Sequence, residues 1–169
     1  MHGKTVRRND SVYGRPPAAA PTRKVAGFRV AEGPVAEPRL GCEIKILAKS
    51  QQKQIDRVIN DLDGFARRMQ RLNKRCINVA IVAVNHESDY EGHEGERTFK
   101  HKLKKGEPEE ATGRIRKELG DLYDELLLLP FRATNQAPYP FAWLNSRQAD
   151  LDYGAALARI GEDYQRRFS

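Results

Sequence analysis

Cysteine is scarce in this chain: Cys42 and Cys76 are the only two, too few for a disulfide framework or a cysteine-based zinc site. Each lies in or beside an apolar run, which favours a reduced thiol in a core. Long apolar runs are also missing, since none approaches the roughly 20 residues that a membrane-spanning helix needs. No apolar stretch of signal-peptide length follows the basic N-terminus, so we expect a cytoplasmic protein.

Three common motifs are absent from the sequence: G-x-x-x-x-G-K-[ST], G-x-G-x-x-G and G-x-S-x-G. Their absence argues against NTP hydrolysis, dinucleotide binding and α/β-hydrolase chemistry. Positive charge, in contrast, is in excess, because 30 Lys and Arg against 23 Asp and Glu give a formal net charge of +7. A surplus of cations favours polyanionic partners such as nucleic acid. A basic surface that serves only solubility is the alternative.

The first part of the chain is rich in proline and glycine up to about residue 23. We therefore predict a flexible N-terminal arm over 1–23, in which NDSVYG forms at most a brief strand, and a single domain over 24–169. Within that domain, KVAGFRVA and LGCEIKILA read as two strands joined through a turn-rich loop. Their spacing predicts a β-hairpin.

The rest of the domain alternates between helices and strands. Ser50 is a suitable N-cap for a long helix whose apolar residues, from Ile55 to Leu72, recur at i, i+3, i+4 and i+7. The apolar run CINVAIVAVN then predicts a central strand, and strand, helix and strand together predict a right-handed parallel crossover. A second helix near 109–123, the strand ELLLLPFRAT and a closing helix follow. The fold class is α/β, an α/β sandwich with a mixed central sheet flanked by helices.

Apolar residues near the C-terminus are expected to cover the core. The segment NQAPYPFAWLN is favoured as an aromatic flap over the core, with stacking on nucleobases as the alternative. The closing helix, from about 146 to 168, is expected to turn one stripe of side chains inward: Tyr153, Ala156, Leu157, Ile160 and Tyr164.

Two charged residues interrupt the apolar strand LGCEIKILA. Side chains alternate along a strand, so Glu43 and Lys45 share one face while Ile44 points to the other. A carboxylate is a hard oxygen ligand for Mg²⁺, and a lysine places a point cation beside a phosphate. The pair therefore suggests metal-dependent phosphodiester hydrolysis. A half-exposed strand whose charges pair across the hairpin is the alternative.

The pattern Glu43-Ile44-Lys45, on an apolar strand followed by a long helix and another apolar strand, resembles the PD-(D/E)XK nuclease superfamily, which includes many restriction endonucleases. The resemblance covers roughly residues 24–85. It implies a restriction-endonuclease-like fold and a DNA endonuclease in which Glu43 binds Mg²⁺, with Mn²⁺ as a substitute. Lys45 would act on the attacking water or the scissile phosphate. Double-stranded DNA is the favoured partner, and a homodimer is compatible with the family; a catalytically inactive nucleic-acid-binding or assembly module of the same fold is the alternative.

The family also draws a second acid from the preceding strand, often after a proline, but this chain contains no Pro-Asp pair. Asp10, in NDSVYG, is the first candidate for this catalytic, metal-binding role beside Glu43. A turn aspartate in a mobile arm is the other interpretation of Asp10. Glu32, Glu37 and Asp56 are the alternative acids.

Two polar segments are candidates for contacts with phosphate. One is the start of the long helix, where backbone amides and the helix dipole favour anions, and the other is the run KHKLKK. The acidic and histidine-containing stretch NHESDYEGHEGER between them is predicted to be a solvated loop rather than a metal site. The candidate nucleic-acid-binding residues are Lys49, Ser50, Lys53, Gln54, Lys102, Lys104 and Lys105.

Overall fold

The computed structural model describes residues 11–24, 26–27, 31–94 and 96–169. No helix in this described part is long and apolar enough to span a membrane. A 3-10 turn lies at Gly120–Leu122. In chain order the described elements are β1 (Ser11–Arg15), β2 (Arg23–Lys24), β3 (Ala31–Glu32), β4 (Glu37–Leu47), α1 (Gln51–Leu72), β5 (Ile77–Asn85), β6 (Asp89–Glu94), β7 (Arg97–Lys102), α2 (Glu107–Leu119), β8 (Glu125–Ala133), β9 (Phe141–Trp143) and α3 (Ser146–Phe168).

One mixed sheet organises the described residues, with the strand order β1-β4-β5-β8-β9. The three central strands β4, β5 and β8 are parallel, and the outer strands β1 and β9 are antiparallel to their neighbours. Helices α1 and α2 connect the parallel strands, as a parallel crossover requires. The α/β class and the mixed sheet are confirmed.

The helices divide the core into two layers. On one face of the sheet, α1 and α2 pack Leu62, Met69 and Ile115 against strand residues such as Val82. On the other face, α3 contributes Ala156 to a smaller cluster. The first layer is large because α1 carries a long apolar stripe. Burial of such a stripe against the sheet is the main source of the stability of a helix in a protein.

Helix α1 lies especially close to β4 at Gly41. A Cβ on Gly41 would come within 2.9 Å of Met69 Cγ and 3.0 Å of Phe65 Cζ. Any larger residue here would push the helix and strand apart. The missing side chain therefore sets how near α1 comes to the strand that carries Glu43.

Two buried amides tie the carboxyl ends of the parallel strands together. Asn85 is completely buried, and its Nδ2 donates to the carbonyls of Ala48 and Ala133 at 3.1 and 2.8 Å. Its Oδ1 accepts from the backbone N–H groups of Glu87 and Ala133. The neighbouring Gln51 Nε2 donates to the Asn85 carbonyl at 2.6 Å. These bonds anchor the turn between β4 and α1 to the ends of β5 and β8.

The predicted hairpin partner of β4 was wrong. KVAGFRVA was predicted to form its hairpin partner, but β4 pairs with β1, with Ser11 opposite Cys42. Part of KVAGFRVA instead forms the small hairpin β2–β3, while residues 25 and 28–30 lie outside the described part. The sheet thus includes five residues of the segment 1–23.

One further expectation was wrong, and two others hold only in part. Within and after NHESDYEGHEGER, which was predicted to be a loop, residues 89–94 and 97–102 pair as the hairpin β6–β7. In the aromatic segment, Phe141 stacks on the buried Phe131 with ring centroids 5.4 Å apart, so it covers part of the core, although Phe141 and Trp143 are themselves 57% and 37% exposed. Along α3 the structure buries Ala156 and packs Ile160 against the same cluster, but it leaves Leu157 52% exposed, and Tyr153 and Tyr164 are exposed as well.

Candidate functional site

Glu43 and Lys45 lie on the face of β4 that α1 covers, and their side chains are in direct contact. Lys45 Nζ is 2.9 Å from Glu43 Oε1. The Glu43 side chain is 10% exposed and that of Lys45 is 25% exposed, so the lysine partly separates the carboxylate from solvent. The predicted sharing of one strand face is confirmed. The pairing is between the two residues themselves, not across the hairpin.

Asp61, on α1, extends this pair into a network of three charges. Its Oδ2 is 3.5 Å from Lys45 Nζ, so the ammonium lies between two carboxylates. Sequence reasoning missed Asp61. Asp61 follows the buried Val58 by three positions, so it flanks the buried stripe of the helix. This spacing indicates that Asp61 lies near the sheet, but it does not show that Asp61 contacts Lys45.

The two carboxylates keep Lys45 charged. Burial disfavours the ammonium, but the hydrogen bond and charge of Glu43, together with Asp61, outweigh it and raise the pKa of Lys45 above its usual value of 10.5. At neutral pH the side chain is a fixed cation. It can therefore orient a phosphate or stabilise negative charge, whereas proton abstraction from water is disfavoured.

The second oxygen of Glu43 has unmet bonding capacity. Oε2 is buried, and among the described residues nothing donates a hydrogen bond to it. A buried carboxylate oxygen without a partner is costly, so a cation or water at this atom would be stabilising. Mg²⁺ is often held by only one or two carboxylates, and Glu43 and Asp61 supply two, with the Lys45 ammonium between them. Within the described residues, however, no three His, Cys, Asp or Glu side chains group closely enough to hold a metal.

The predicted second acids fall in different places. Asp10 lies outside the described residues. Glu32 pairs with Arg23 in the hairpin β2–β3. Glu37 is six positions before Glu43 on the same strand, about 20 Å away by strand rise. Asp56 bonds Arg114 of α2 at 2.9 Å and is 73% exposed. None of these three described acids joins Glu43 and Lys45.

Tyr123 lies close to Glu43 and contacts the middle of α1. Its hydroxyl donates to the carbonyl of Leu62 at 2.7 Å, next to Asp61 along α1. Burial, followed by the charges of Glu43 and Asp63, raises the pKa of Tyr123 well above its usual value. The phenol is thus neutral and serves as a hydrogen-bond donor that fixes the middle of α1.

The structure brings the two predicted phosphate-binding segments together at the start of α1. The Glu107 carboxylate, 6% exposed, accepts from the backbone N–H of Gln52 and of Lys104, each at 3.0 Å. This acid from α2 therefore fills part of the anion position at the N-terminus of α1. Lys53, Lys102, Lys104 and Lys105 are exposed around it.

The turn before α1 is held more tightly than its polar sequence suggests. Ser50 has a left-handed backbone, with φ of 47°, and its Oγ lies 3.3 Å from His101 Nδ1. Lys49 Nζ lies so close to Gly92 that a Cβ added at position 92 would be only 2.6 Å from it. Gln54 is half-buried on α1. Ser50 and Lys49 thus contact the hairpin β6–β7, and the exposed lysines are the more accessible members of the set.

Comparison of this chain with family models, with curated proteins and with solved structures finds no match. Its class therefore follows from its own structure. It is an α/β protein with a partly buried Glu–Lys–Asp network between the central strand β4 and the long helix α1.

Proposed function

We propose that this chain is a metal-dependent DNA endonuclease of restriction-endonuclease-like fold, with Glu43 and Lys45 at its active site. The observation that carries the proposal is the state of Glu43. One of its oxygens contacts the Lys45 ammonium at 2.9 Å, and the other is buried with no hydrogen-bond donor among the described residues. An acid whose only role was an ion pair would gain nothing from a second, stranded oxygen.

The setting of the pair supports the same proposal. The E-x-K strand β4 continues through α1 into the parallel strand β5, and an antiparallel strand, β1, lies on its other side. This arrangement agrees with the strand–helix–strand context on which the resemblance rests. A rigid central strand also holds both charged groups at a constant spacing, which catalysis requires.

Each residue has a distinct role in this proposal. Glu43 would be the first ligand for Mg²⁺ or Mn²⁺, and Asp61 or Asp10 would be the second. When bound, the metal neutralises phosphate charge and lowers the pKa of its bound water. Lys45 supplies a positive charge beside the scissile phosphate, because its raised pKa keeps it protonated. Lys49, Ser50, Lys53, Gln54, Lys102, Lys104 and Lys105 are proposed to contact the DNA backbone.

A nucleic-acid-binding module of the same fold without catalysis is the second candidate. The position of the Lys45 ammonium between Glu43 and Asp61 favours it, since an internal cation already balances both carboxylates. The two candidates agree on DNA binding and differ on cleavage.

Nicking of supercoiled plasmid in Mg²⁺ or Mn²⁺ separates the two candidates. We expect Glu43→Gln and Lys45→Ala each to reduce nicking by about 100-fold or more, the usual effect of removing one charge-stabilising group. Asp61→Asn and Asp10→Asn identify the second acid. Asp56→Asn is the matched substitution on the same helix, and we expect it to retain activity because Asp56 pairs with Arg114 instead.

The outcomes are distinct. If folded wild-type protein nicks no plasmid in either metal, the nuclease proposal is wrong. Salt-dependent retention of DNA without cleavage would then support the binding module. Cleavage that survives Glu43→Gln would show that the active site lies elsewhere.

A further inference from the structure

A wide cleft lies at the other end of α1 from the predicted phosphate-binding segments. It has a volume of about 1020 Å³ and opens between the last turns of α1, the start of β5, the turn before β8 and the end of α3. Asn78 at its wall is 1% exposed, and among the described residues nothing donates to its Oδ1. The buried part of the cleft wall therefore carries a polar group.

The rim of the cleft is rich in Arg and Lys. Its lining includes two carboxylates, Asp121 and Asp124, and the second of these is already bound by Arg167 from α3. Five cations face these two acids, and two further carboxylates hold members of the set, Asp63 on Arg67 and Asp163 on Arg167, so the local excess is one positive charge (five minus four). These cations are Arg67, Arg71, Lys74, Arg75 and Arg167.

Two of the five cations form no ion pair or ring contact among the described residues. Arg67 is held by Asp63 at 2.8 Å, and Arg75 lies over the ring of Phe168. Arg71 and Lys74 are both exposed and form no ion pair with any described residue. A single cation in a last helical turn is explained by the helix dipole. Unpaired charges that converge on one cleft point instead to an anionic ligand.

The spacing of these cations suits a chain of phosphates. Arg67 and Arg71 are four positions apart, so they lie on one side of α1 about 6 Å apart along its axis. A cleft of this size has room for several backbone units rather than one small anion. Repeated negative charge along a backbone is the ligand that a row of Arg and Lys neutralises best.

We propose that this cleft binds the phosphate backbone of DNA, with Arg71 and Lys74 as its main contacts. Tyr123 lines the cleft, and its hydroxyl bonds Leu62, the neighbour of Asp61. Glu43, Lys45 and Asp61 are not among the residues that line the cleft, so DNA seated in it would contact a surface separate from that pair. The choice of DNA rests on the proposed function, whereas the binding itself does not depend on cleavage.

Fluorescence anisotropy with a short labelled duplex, in EDTA and across a KCl series, tests the inference. We expect Arg71→Gln/Lys74→Gln to weaken binding at least about 10-fold near physiological salt and to reduce the salt slope by about two units, one per lost phosphate contact. The matched control is Arg97→Gln/Arg147→Gln, which removes the same charge from the tip of β7 and the start of α3. Arg147 is about 30 Å along α3 from Arg167, so this control is expected to retain the wild-type slope.

Each result decides the inference. Equal losses in the two double variants would show a general charge effect and overturn it, as would unchanged binding by Arg71→Gln/Lys74→Gln. The single strand of the same sequence, run in parallel, shows whether duplex geometry is needed. Loss of binding in the cleft variant by a protein that never cleaves would support the cleft while refuting the nuclease. If the protein cleaves DNA and the cleft variant binds DNA as tightly as wild type, the nuclease proposal is supported and the cleft inference is refuted.

Discussion

Replacing Lys45 by methionine tests whether the Glu–Lys–Asp network is arranged as described. Methionine keeps most of the volume of the lysine stem but removes its charge. Glu43 would lose its contact at 2.9 Å, and both of its oxygens would then lack a donor among the described residues. Asp61 would lose less, because its side chain is 45% exposed and is hydrated readily.

The size of the effect follows from burial. Removing one partner of a fully buried ion pair costs about 3–5 kcal/mol, whereas an exposed pair contributes at most about 1 kcal/mol. Lys45 is 25% exposed and Glu43 10%, so the pair lies between these limits. We expect Lys45→Met to lower the free energy of unfolding by about 2 kcal/mol, or roughly 4–8 °C in Tm for a chain of this length.

Urea and thermal unfolding followed by circular dichroism provide the measurement. Glu43→Met/Lys45→Met should recover most of the loss, because no buried carboxylate is then stranded. Lys100→Met, on the exposed strand β7, is the control for removing a lysine and should change stability by under about 0.5 kcal/mol. If Lys45→Met is as stable as wild type, or if the double variant is no better than the single one, the stranded-carboxylate reasoning is refuted.

Three other predictions concern buried groups. Asn85→Ala should cost about 3 kcal/mol in urea unfolding, because it removes four hydrogen bonds that join three chain segments; a loss under about 1 kcal/mol would contradict this. Because the pKa of Tyr123 is raised in the folded protein, the Tyr123 phenol ionises at lower pH in the unfolded chain than in the folded one. The free energy of unfolding should therefore fall as pH rises above the usual value of 10.0, and Tyr123→Phe should make this fall less steep. Burial, and then the charge of Asp124, raises the pKa of Cys76 to about 11, so Ellman's reagent at pH 8 should modify Cys76 only upon unfolding, and rapid labelling of the native protein there would disprove it.

The elements that local pattern determines were predicted well. The periodicity from Ile55 to Leu72 predicts a helix, and α1 spans Gln51–Leu72. The β-branched run INVAIVAVN and the leucine-rich run ELLLLPFRAT likewise predict β5 and β8. In each case the repeat is written in consecutive residues and needs no distant partner.

Pairings between distant segments were predicted less well. The sequence favoured the nearest apolar run as the partner of β4, whereas the sheet uses β1, more than twenty residues earlier. A loop of that length costs little more entropy than a short one, so packing decides between such partners. The same limit applies to α3, whose periodicity predicts an apolar stripe but cannot say whether a protein surface covers Leu157.

The alternation of a strand by itself determined that Glu43 and Lys45 share a face, because side-chain direction along a strand follows from backbone geometry alone. Only the tertiary structure decided what lies opposite them. Gly41 lets α1 approach closely, and the helix then places Asp61 within 3.5 Å of Lys45, although the two are far apart in sequence. The basic cleft has the same origin, since Arg71 and Arg167 meet only when α1 and α3 end at the same edge of the sheet. Such contacts depend on packing between elements, which no local repeat encodes.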